Sequence, residues 1–441
     1  MTLETDILKR IKPTPAQDKK VAAAVAELSK KVLAESHNID AHVEPMLVGS
    51  VAKGTHLKDP DIDLFLMFSE STALEELRKN GLELGRRVIN GREHYAQHPY
   101  VRGEYKGFQV DLVPCFRIRD TRRKMSAVDR TPFHTEFVRK RLKKKQADEV
   151  RLLKRFMKGI ECYGAEAKVQ GFSGYLCELL VMRFGTFRAV LEAATGWKVG
   201  QSLELPGFPG KEFSETFVFV DPVDSSRNVA SAVAPETLVR FVLASREYIR
   251  SPDERFFFPP EREPWSPDKL SSTAGPRLGN LVSVSFQKLD LIDDVLYPQF
   301  RKSIANLTAL LSRADFEVEK STIHVDHRTH LLIELSSISL PKEKKHRGPP
   351  ANSESVKDFL AKWNSEGSSK PFVENGRWYV VIDREHTRAD DLLKAKIRSV
   401  PLGKDVKQLG SYDIESGREL LRSEHLAALT HHFDERLPWQ R

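Results

Sequence analysis

The chain has 441 residues, of which 40% are hydrophobic and 30% charged, a balance typical of a soluble globular protein with roughly three domains. No apolar run approaches the roughly 18 residues of a membrane span, and the N-terminus lacks a signal-peptide core, so we expect a cytoplasmic protein. The formal charge is +8, and residues 139–158, with ten Lys/Arg against two acids, carry an equal excess, which favours a polyanionic partner over the alternative of a solvated helix face.

A turn of two small residues follows the first predicted helix and strand. Apolar residues at helical spacing predict a helix over residues 15–36, and residues 44–48 form a strand pattern. This strand runs into Gly49 and Ser50. A turn there presents backbone N–H groups and a hydroxyl, which are donors that a phosphate accepts.

Two aspartates stand at the start of the next predicted strand. Asp61 and Asp63 enter the apolar run of residues 62–68, and side chains two apart in a strand point to the same face. Two carboxylates held that close repel each other unless a cation lies between them. Since hard divalent ions such as Mg²⁺ prefer oxygen ligands, the pair predicts a metal site.

A third acid lies within a later apolar strand. After a predicted helix over residues 72–88 with a cap at Ser71 or Thr72, residues 105–116 form a hairpin pattern whose second strand carries Asp111. A lone acid in such a run costs free energy unless it is paired or bound to a cation. The carboxylate pair upstream favours a shared cation over the alternative of a hydrogen-bonded buried aspartate.

The middle of the chain is predominantly helical. Residues 148–160 form an amphipathic pattern, with Arg151, Lys154, Arg155 and Lys158 on its basic side. Further helical patterns cover residues 172–194 and 235–249, with a strand and turn over 217–230 between them. The Pro-rich, aromatic residues 256–267 then predict a linker or domain boundary.

Beyond residue 267, strands and helices alternate. Strand patterns cover residues 281–286, 329–336 and 377–382, and helical patterns cover 297–313 and 355–364. Residues 342–353 are basic and rich in residues that break regular structure, which predicts a loop. Small α/β layers of this kind often bind RNA, although no RNP-like motif is present.

Phrases along the chain resemble one known family. The order Gly-Ser, Asp-x-Asp and a later carboxylate is similar to that of the DNA polymerase β-like nucleotidyltransferases. Longer phrases resemble the archaeal class I CCA-adding enzymes, which build or repair the 3′ CCA end of tRNA: HPYVRGEYKGFQVDLVPCF, EVRLLKRFMK, GFSGYLCELL and DPVDSSRNVA. The resemblance extends over residues 48–378 and is densest over residues 49–230.

The resemblance implies an α+β multidomain fold. Its parts would be a polymerase β-like mixed-sheet catalytic head (residues 1–146), a helical neck (147–257), a small α/β body (258–320 and 388–441) and a tail that contacts tRNA (321–387). It also implies a homodimer that uses tRNA, ATP and CTP. The activity would be template-independent addition and repair of the 3′-terminal CCA, with release of pyrophosphate.

The resemblance further implies two Mg²⁺ ions. Asp61 and Asp63 would bind both ions, and Asp111 would complete the site of the ion nearer the primer 3′ hydroxyl. Two such ions roughly 3.5–4 Å apart can activate the attacking hydroxyl and neutralise the leaving pyrophosphate. The three acids would therefore be the catalytic residues.

Two residues of the turn would face the triphosphate. Ser50 offers a hydroxyl and a backbone donor, and Lys53 offers a positive charge. Family members tend to carry arginine at the position of Lys53. Lysine keeps the charge but loses the bidentate fork, so we expect a less directional contact.

Three later residues match nucleotide-binding positions of the family: His134, Lys154 and Tyr163. Taken singly, a histidine or tyrosine is more often structural, and only the family match assigns these residues to the nucleotide. His98 is a further candidate near the site. Its neighbour Gln97 stands where an acid is expected.

Arg227 and Asn228 are the pair that the resemblance assigns to base selection. An arginine fork can donate to the acceptors of cytosine or adenine, and it leaves the donors of a wrong base unsatisfied. Without the family context, a salt bridge from Arg227 to Asp221 or Asp224 is the alternative.

Two other functions stay open at this point. A poly(A) polymerase or an oligoadenylate synthetase-like enzyme would share the Gly-Ser and Asp-x-Asp motifs and the metal ligands. An RNA-binding protein could keep the fold without catalysis, but all three acids are present, which argues against it.

Overall fold

The computed structural model describes residues 2–39, 41–95, 98–123, 125–366 and 369–441, and the chain forms two compact units. Unit 1 comprises Met1–Glu261, Ile292–Asp294 and Arg436–Arg441, and unit 2 comprises Arg262–Leu291 and Val295–Glu435. The finer division into head, neck, body and tail stays a prediction. None of the described helices is both long and apolar enough to cross a membrane.

Unit 1 combines a mixed sheet with a helical half. Its helices are α1 (Leu3–Ile11), α2 (Pro15–Asn38), α3 (Gly49–Lys53), α4 (Leu74–Val88), α5 (Thr131–Arg141), α6 (Lys144–Gly159), α7 (Gly174–Phe184), α8 (Phe187–Ala194) and α9 (Pro235–Arg250). Its strands are β1 (Glu44–Leu47), β2 (Ile62–Ser69), β3 (Gly91–Tyr95), β4 (Pro99–Tyr105), β5 (Phe108–Arg117), β6 (Gln201–Leu203) and β7 (Phe217–Phe219).

The sheet that carries the predicted acids has the strand order β1-β2-β5-β4-β3. The strands β2 and β5 pair in parallel, because α4 and the hairpin lie between them in the chain, and the other neighbours are antiparallel. Apolar residues of α2 and α4 close one face of this sheet, among them Val21, Leu28, Val32, Leu77 and Leu84. The predicted cap of α4 is wrong, because Ala73 is the N-cap and makes no side-chain hydrogen bond.

The helical half of unit 1 has an aromatic core. Phe156 of α6 stacks on Phe256 with ring centroids 5.8 Å apart and meets Phe257 edge-on at 5.6 Å. Both partners are buried. They lie in the segment predicted as a linker, so its first residues belong to this core, and the boundary between the units falls after Glu261.

Unit 2 contains two antiparallel sheets, β14-β8-β10-β9 and β11-β13-β12. Its strands are β8 (Leu281–Gln287), β9 (Val318–Val325), β10 (Arg328–Leu335), β11 (Glu343–Pro350), β12 (Phe372–Glu374), β13 (Arg377–Asp383) and β14 (Asp413–Ser416). Its helices are α10 (Pro267–Ala274), α11 (Pro276–Gly279), α12 (Asp293–Arg313), α13 (Val356–Glu366), α14 (Ala389–Lys396), α15 (Lys404–Lys407) and α16 (Leu426–Phe433).

The basic loop predicted over residues 342–353 is wrong. The strand β11 occupies most of it and pairs with β13, for example Lys345 with Val381. Its charged residues alternate with half-buried ones that face α13, where His346 stacks near Phe359. The breaker residues that suggested a loop lie at the end of this strand, where the register shifts before Pro350.

Candidate active site

The turn between β1 and β2 requires a glycine. Gly49 begins the short helix α3 with φ +69°, a conformation that residues with a side chain rarely adopt. A Cβ at this position would lie 2.0 Å from Oδ2 of Asp63. The predicted Gly-Ser turn is therefore a helical turn whose first residue lies directly against the aspartate.

Strand pairing brings the predicted metal ligands together. In the parallel pair of β2 and β5, Asp63 lies opposite Asp111, and neighbouring strands are about 4.8 Å apart. Asp61 stands just before β2 with 57% of its side chain exposed. Burial and the charges of Asp111 and Asp61 raise the pKa of Asp63 to about 7. Burial is the largest cause of this shift, and the repulsion that the sequence predicts for clustered carboxylates adds to it.

Arg102 pairs with the third aspartate. It stands opposite Asp111 in the antiparallel pair of β4 and β5, and its Nε and Nη2 donate to the two carboxylate oxygens at 2.6 and 2.7 Å. Oδ2 of Asp61 lies 3.9 Å from the same guanidinium. A cation that binds Asp111 must therefore share the carboxylate with Arg102 or displace the arginine.

The chemistry of the carboxylates fits Mg²⁺. No described residue donates a hydrogen bond to the side chain of Asp63, and the charges of Lys53 and Arg102 only partly offset the burial and the carboxylate repulsion that raise its pKa. Mg²⁺ is usually held by one or two carboxylates together with substrate phosphates and water. Asp61 and Asp63 fit this pattern directly, and Asp111 fits it once its oxygens are free of Arg102.

A buried glutamate organises the cationic side of the site. Glu178 of α7 accepts hydrogen bonds from Nζ of Lys53 at 2.6 Å and from Oγ1 of Thr55 at 2.5 Å. Nζ of Lys154 lies 3.4 Å from Oε1 of Glu178, the same oxygen that accepts from Thr55, and it donates to Oγ1 of Thr55 at 3.1 Å. Burial alone would raise the pKa of Glu178, but the two lysines outweigh it and lower the pKa. The glutamate therefore stays ionised between the two ammonium groups.

The predicted basic side of α6 is only partly solvent-exposed. Arg151 and Lys154 are buried, with relative exposures of 6% and 2%. Arg151 donates to the backbone oxygens of His56 and Gly54 at 2.8 and 2.7 Å. Burial lowers the pKa of Lys154, although Glu178 opposes this shift. These two cations therefore bind the segment after α3 from the protein interior. Lys158 is the exposed residue of the basic side of α6.

One cavity of about 350 Å³ brings most predicted site residues together. Its walls include the following side chains and the backbone of Gly49: Ser50, Lys53, Asp61, Asp63, Lys154, Lys158, Tyr163, Tyr175 and Glu178. Another cavity of about 320 Å³ lies against α2 and β1 and contains none of the predicted site residues. The first cavity is therefore the candidate active site.

A second buried carboxylate holds the other predicted nucleotide-binding residues. Oδ2 of Asp221 accepts from Nε2 of His134 and from Nη1 of Arg227, both at 2.9 Å. Its Oδ1 accepts from the hydroxyl of Tyr175 at 3.2 Å and from the backbone of Val223 at 3.0 Å. The salt bridge between Arg227 and Asp221, which is the alternative stated for this arginine, is thus present.

Asn228 and Tyr163 differ in their access to the cavity. The side chain of Asn228 binds the backbone of Phe219, Ala230 and Phe217, and only 4% of the residue is exposed. Tyr163 lines the cavity, and Nζ of Lys158 lies 5.2 Å above its ring. Tyr163 can therefore meet a ligand in this conformation, whereas Asn228 shapes the loop that carries Arg227.

His98 stands just before β4 and is not among the residues that line the cavity. Its Nε2 bonds the backbone oxygen of Pro114 at 2.6 Å, and 6% of the residue is exposed. Since a carbonyl oxygen only accepts, Nε2 carries the proton. Gln97, where an acid is expected, lies outside the described residues.

Sequence reasoning missed three side chains of the site: Arg102, Tyr175 and Glu178. The last two lie three apart on α7 and so share one helical face. A signal for Glu178 was present, because it is a lone acid in the apolar run YLCELLVM, the same feature that singled out Asp111. No local pattern marked Arg102, whose role depends on strand register.

Family models match three parts of the chain. The nucleotidyltransferase domain matches residues 27–134, the second domain of tRNA nucleotidyltransferase matches 148–258, and the C-terminal domain of CCA-adding enzyme matches 277–419. Together they cover most of the sequence, including both carboxylate-centred networks of the candidate site.

Curated relatives match along nearly the whole chain. A CCA-adding enzyme of Methanosarcina acetivorans is 38% identical, with 97% of this chain and 95% of the relative covered. Those of Thermoplasma volcanium and Archaeoglobus fulgidus are each 38% identical and cover 91% and 88% of this chain and 90% and 89% of their own lengths. Among solved structures, a Cid1 poly(U) polymerase aligns at 15% identity and TM-score 0.44, over 57% of this chain and 94% of that one.

Proposed function

The chain belongs to the CCA-adding enzyme family, and we propose that it adds C, C and A to the 3′ end of tRNA from CTP and ATP at Asp61, Asp63 and Asp111. Completion and repair of the CCA end with release of pyrophosphate is the reaction of that family.

The observation that carries the assignment is the position of Asp63 in a cavity that also contains lysines. Its carboxylate lies in the same cavity as the ammonium groups of Lys53 and Lys154. Two Mg²⁺ ions held by the three aspartates would activate the 3′ hydroxyl and neutralise the leaving pyrophosphate. A cavity with acids on one wall and lysines on the other suits a metal-bound triphosphate.

The lysines and Ser50 receive the triphosphate. Lys53 and Lys154 share one carboxylate, Glu178, so two positive charges face a single negative one. The uncompensated positive charge attracts phosphate oxygens, and the buried setting strengthens this attraction because little water screens it. Ser50 adds its hydroxyl and backbone N–H at the start of α3.

Arg227 reads the base in this proposal. One of its N–H groups is used by Asp221, while its Nε and Nη2 make no hydrogen bond to any described residue. Those donors suit acceptor atoms on cytosine and adenine. Asn228 contributes by holding the loop, since its amide is engaged with backbone groups and with the carboxylate of Glu215.

Two surfaces are proposed to hold the tRNA. The first is the set of exposed cations on α5 and the start of α6, within residues 139–145. The second is the face of the β11-β13-β12 sheet opposite α13, where Phe372 and Tyr379 stack at 6.1 Å with Nζ of Lys345 over the tyrosine ring at 4.3 Å. Aromatic rings with adjacent cations are suited to RNA bases and phosphates.

The test uses a tRNA transcript that ends at the discriminator base. Incubated with CTP and ATP together and singly, the enzyme should add three nucleotides in the order C, C, A, and only two with CTP alone. Long A tails from ATP alone would identify a poly(A) polymerase and reject the proposal. The same assay with EDTA and with graded Mg²⁺ tests the metal requirement.

A homodimer in the cytoplasm, where tRNA and nucleotides are available, completes the proposal. Light scattering on the purified protein should then give twice the chain mass of 50.2 kDa. A single-chain mass at micromolar concentration would reject the dimer while leaving the catalytic assignment unaffected.

A further inference from the structure

We infer that Asp221 is a positioning residue that sets nucleotide selectivity, because one of its oxygens fixes both Arg227 and His134. The inference rests on the proposed function, since it assumes that Arg227 reads the base. It concerns how the arginine is held rather than what it touches.

The carboxylate of Asp221 is a fully buried hub. The residue has no exposed surface, yet its two oxygens accept four hydrogen bonds. Arg227 is also tied through its backbone, because its carbonyl oxygen accepts from the N–H of Asp221 at 3.0 Å. Because Arg227 is held through both its side chain and its main chain, its guanidinium has little freedom to shift and pair with a wrong base.

The same oxygen determines the protonation pattern of His134. A carboxylate oxygen only accepts, so Nε2 of His134 must carry the proton. Burial lowers the pKa of this histidine although Asp221 opposes the shift, so the ring is neutral near pH 7 and its Nδ1 is an acceptor. His134 can therefore accept a hydrogen bond from a sugar hydroxyl but does not carry a charge for a phosphate.

Tyr175 extends the hub toward the triphosphate side. Its hydroxyl donates to Asp221, its ring stacks on His134 with centroids 4.2 Å apart, and Nζ of Lys53 lies 5.6 Å from the ring centre. Base-reading and phosphate-binding groups thus meet on one aromatic ring. We therefore expect a change at Asp221 to affect nucleotide selectivity more strongly than phosphate binding.

The substitution Asp221→Asn tests the inference because it keeps one acceptor and loses the other. Oδ1 of asparagine can still accept from Val223 and Tyr175, but an NH₂ group then faces the donors of Arg227 and His134. Arg227 is repelled, and His134 must move its proton to Nδ1 to accept from the amide. The side-chain volume is almost unchanged, so a cavity does not explain the outcome.

The measurement is kcat/KM for CTP and for UTP on a tRNA that lacks CCA. Asp221→Asn should lower the CTP/UTP ratio on the order of tenfold to a hundredfold, the factor expected from one lost hydrogen bond to a charged group. Asp129→Asn is the matched control, because this buried carboxylate accepts from Ser126 and from the backbone of Phe116 and Met125 and makes no hydrogen bond to Arg227 or His134. It should leave the ratio unchanged.

A double-mutant cycle shows whether Asp221 acts through Arg227. Arg227→Ala should lower the ratio, and adding Asp221→Asn should lower it no further. Multiplicative effects, or an unchanged ratio in Asp221→Asn with a lowered one in Arg227→Ala, would overturn the inference while the proposed function stands. A wild-type protein that adds no CCA would instead reject the proposed function.

A measurement on the unmodified protein guards against a variant that fails to fold. Nitrogen-15 spectra of the histidine rings, with the signal of His134 assigned by its loss in His134→Gln, report which ring nitrogen carries the proton. The inference requires the proton on Nε2. A proton on Nδ1 alone would contradict the hydrogen bond to Asp221.

Discussion

Two groups of titratable residues, one in each unit, have pKa values that are shifted in opposite directions. In unit 1, burial and two neighbouring acids raise the pKa of Asp63 to about 7. In unit 2, burial lowers the pKa values of His330 and His432 to about 4. The first group clusters carboxylates whose repulsion a bound cation would relieve, whereas the histidines of the second group stay neutral near pH 7.

The two histidines of unit 2 differ in their hydrogen bonds. His432 donates from Nε2 to Glu334 at 3.0 Å and accepts from Oγ1 of Thr322 at 2.8 Å, which accounts for both ring nitrogens. His330 is fully buried, and neither of its nitrogens has a hydrogen-bond partner among the described residues. Burial is the largest cause of both lowered pKa values, because a charged ring loses its hydration there, and for His432 it outweighs the opposing effect of Glu334.

The two groups affect stability with opposite signs between about pH 4 and 7. Asp63 has a folded pKa above its unfolded value, so its folded form keeps a proton that the unfolded chain releases, and stability falls as pH rises through this window. The histidines have folded pKa values below their unfolded ones. Their contribution is complete above about pH 6.5 and is lost as pH falls toward 4.

The largest expected effect is that of Asp63→Asn. The variant should lose addition of both C and A by about a thousandfold or more, because metal ions supply several kcal/mol of transition-state stabilisation. It should bind tRNA normally and melt at a higher temperature than the wild type at pH 8 without Mg²⁺, because one of three crowded charges is gone. The exposed Asp290→Asn is the control for activity and melting.

Retained turnover in Asp63→Asn would remove this residue from the metal site. A lower melting temperature would show instead that the charge of Asp63 does not destabilise the fold in the absence of a cation.

The second effect concerns acid stability of unit 2. Between pH 6.5 and 4 the wild type should lose up to about 3 kcal/mol of stability, the free energy of a His330 pKa lowered from 6.5 to about 4. Replacing His330 with leucine should remove this loss. Hydrogen exchange of the β10 amides measures this unit separately from unit 1. The exposed His327→Leu is the control, and an equal change in both variants would contradict the assignment.

A smaller effect is expected for Gly49→Ala. The positive φ alone costs about 1 kcal/mol or more, and the new methyl group must push the carboxylate of Asp63 out of its position. Thermal melting should show the loss, and the Mg²⁺ concentration for half-maximal activity should rise. Gly107→Ala, also at positive φ but with open space around it, is the matched control for strain without displacement.

The smallest effect on stability is expected at the exposed end of the basic run. Replacing Lys143, Lys144 and Lys145 with glutamine should leave melting unchanged but reduce the salt slope of tRNA binding by up to about 0.9 per lost phosphate contact. Lys19, Lys20 and Lys30, exposed on α2, form a matched control set. An unchanged slope in the first set would show that these lysines are only a solvated face.

The sequence was most informative where function and local pattern coincide. The strand that begins between Asp61 and Asp63, the apolar strand around Asp111 and the helical middle were all visible from apolar periodicity. The partner of Asp111, Arg102, was not, because opposition across an antiparallel pair depends on register rather than spacing. The burial of Lys154 was missed for a similar reason, since an amphipathic pattern does not reveal that the segment after α3 covers part of the polar face.

The parallel pairing of β2 with β5 has a consequence for folding kinetics. Asp63 and Asp111 are 48 positions apart in the chain and meet only when these strands dock, a non-local contact that forms slowly. A ligand that binds only the completed site stabilises the native state but not the transition state in which the two strands dock. Mg²⁺ should therefore slow unfolding of unit 1 and leave its refolding rate nearly unchanged, so the ion would prolong the lifetime of the folded enzyme rather than assist its formation.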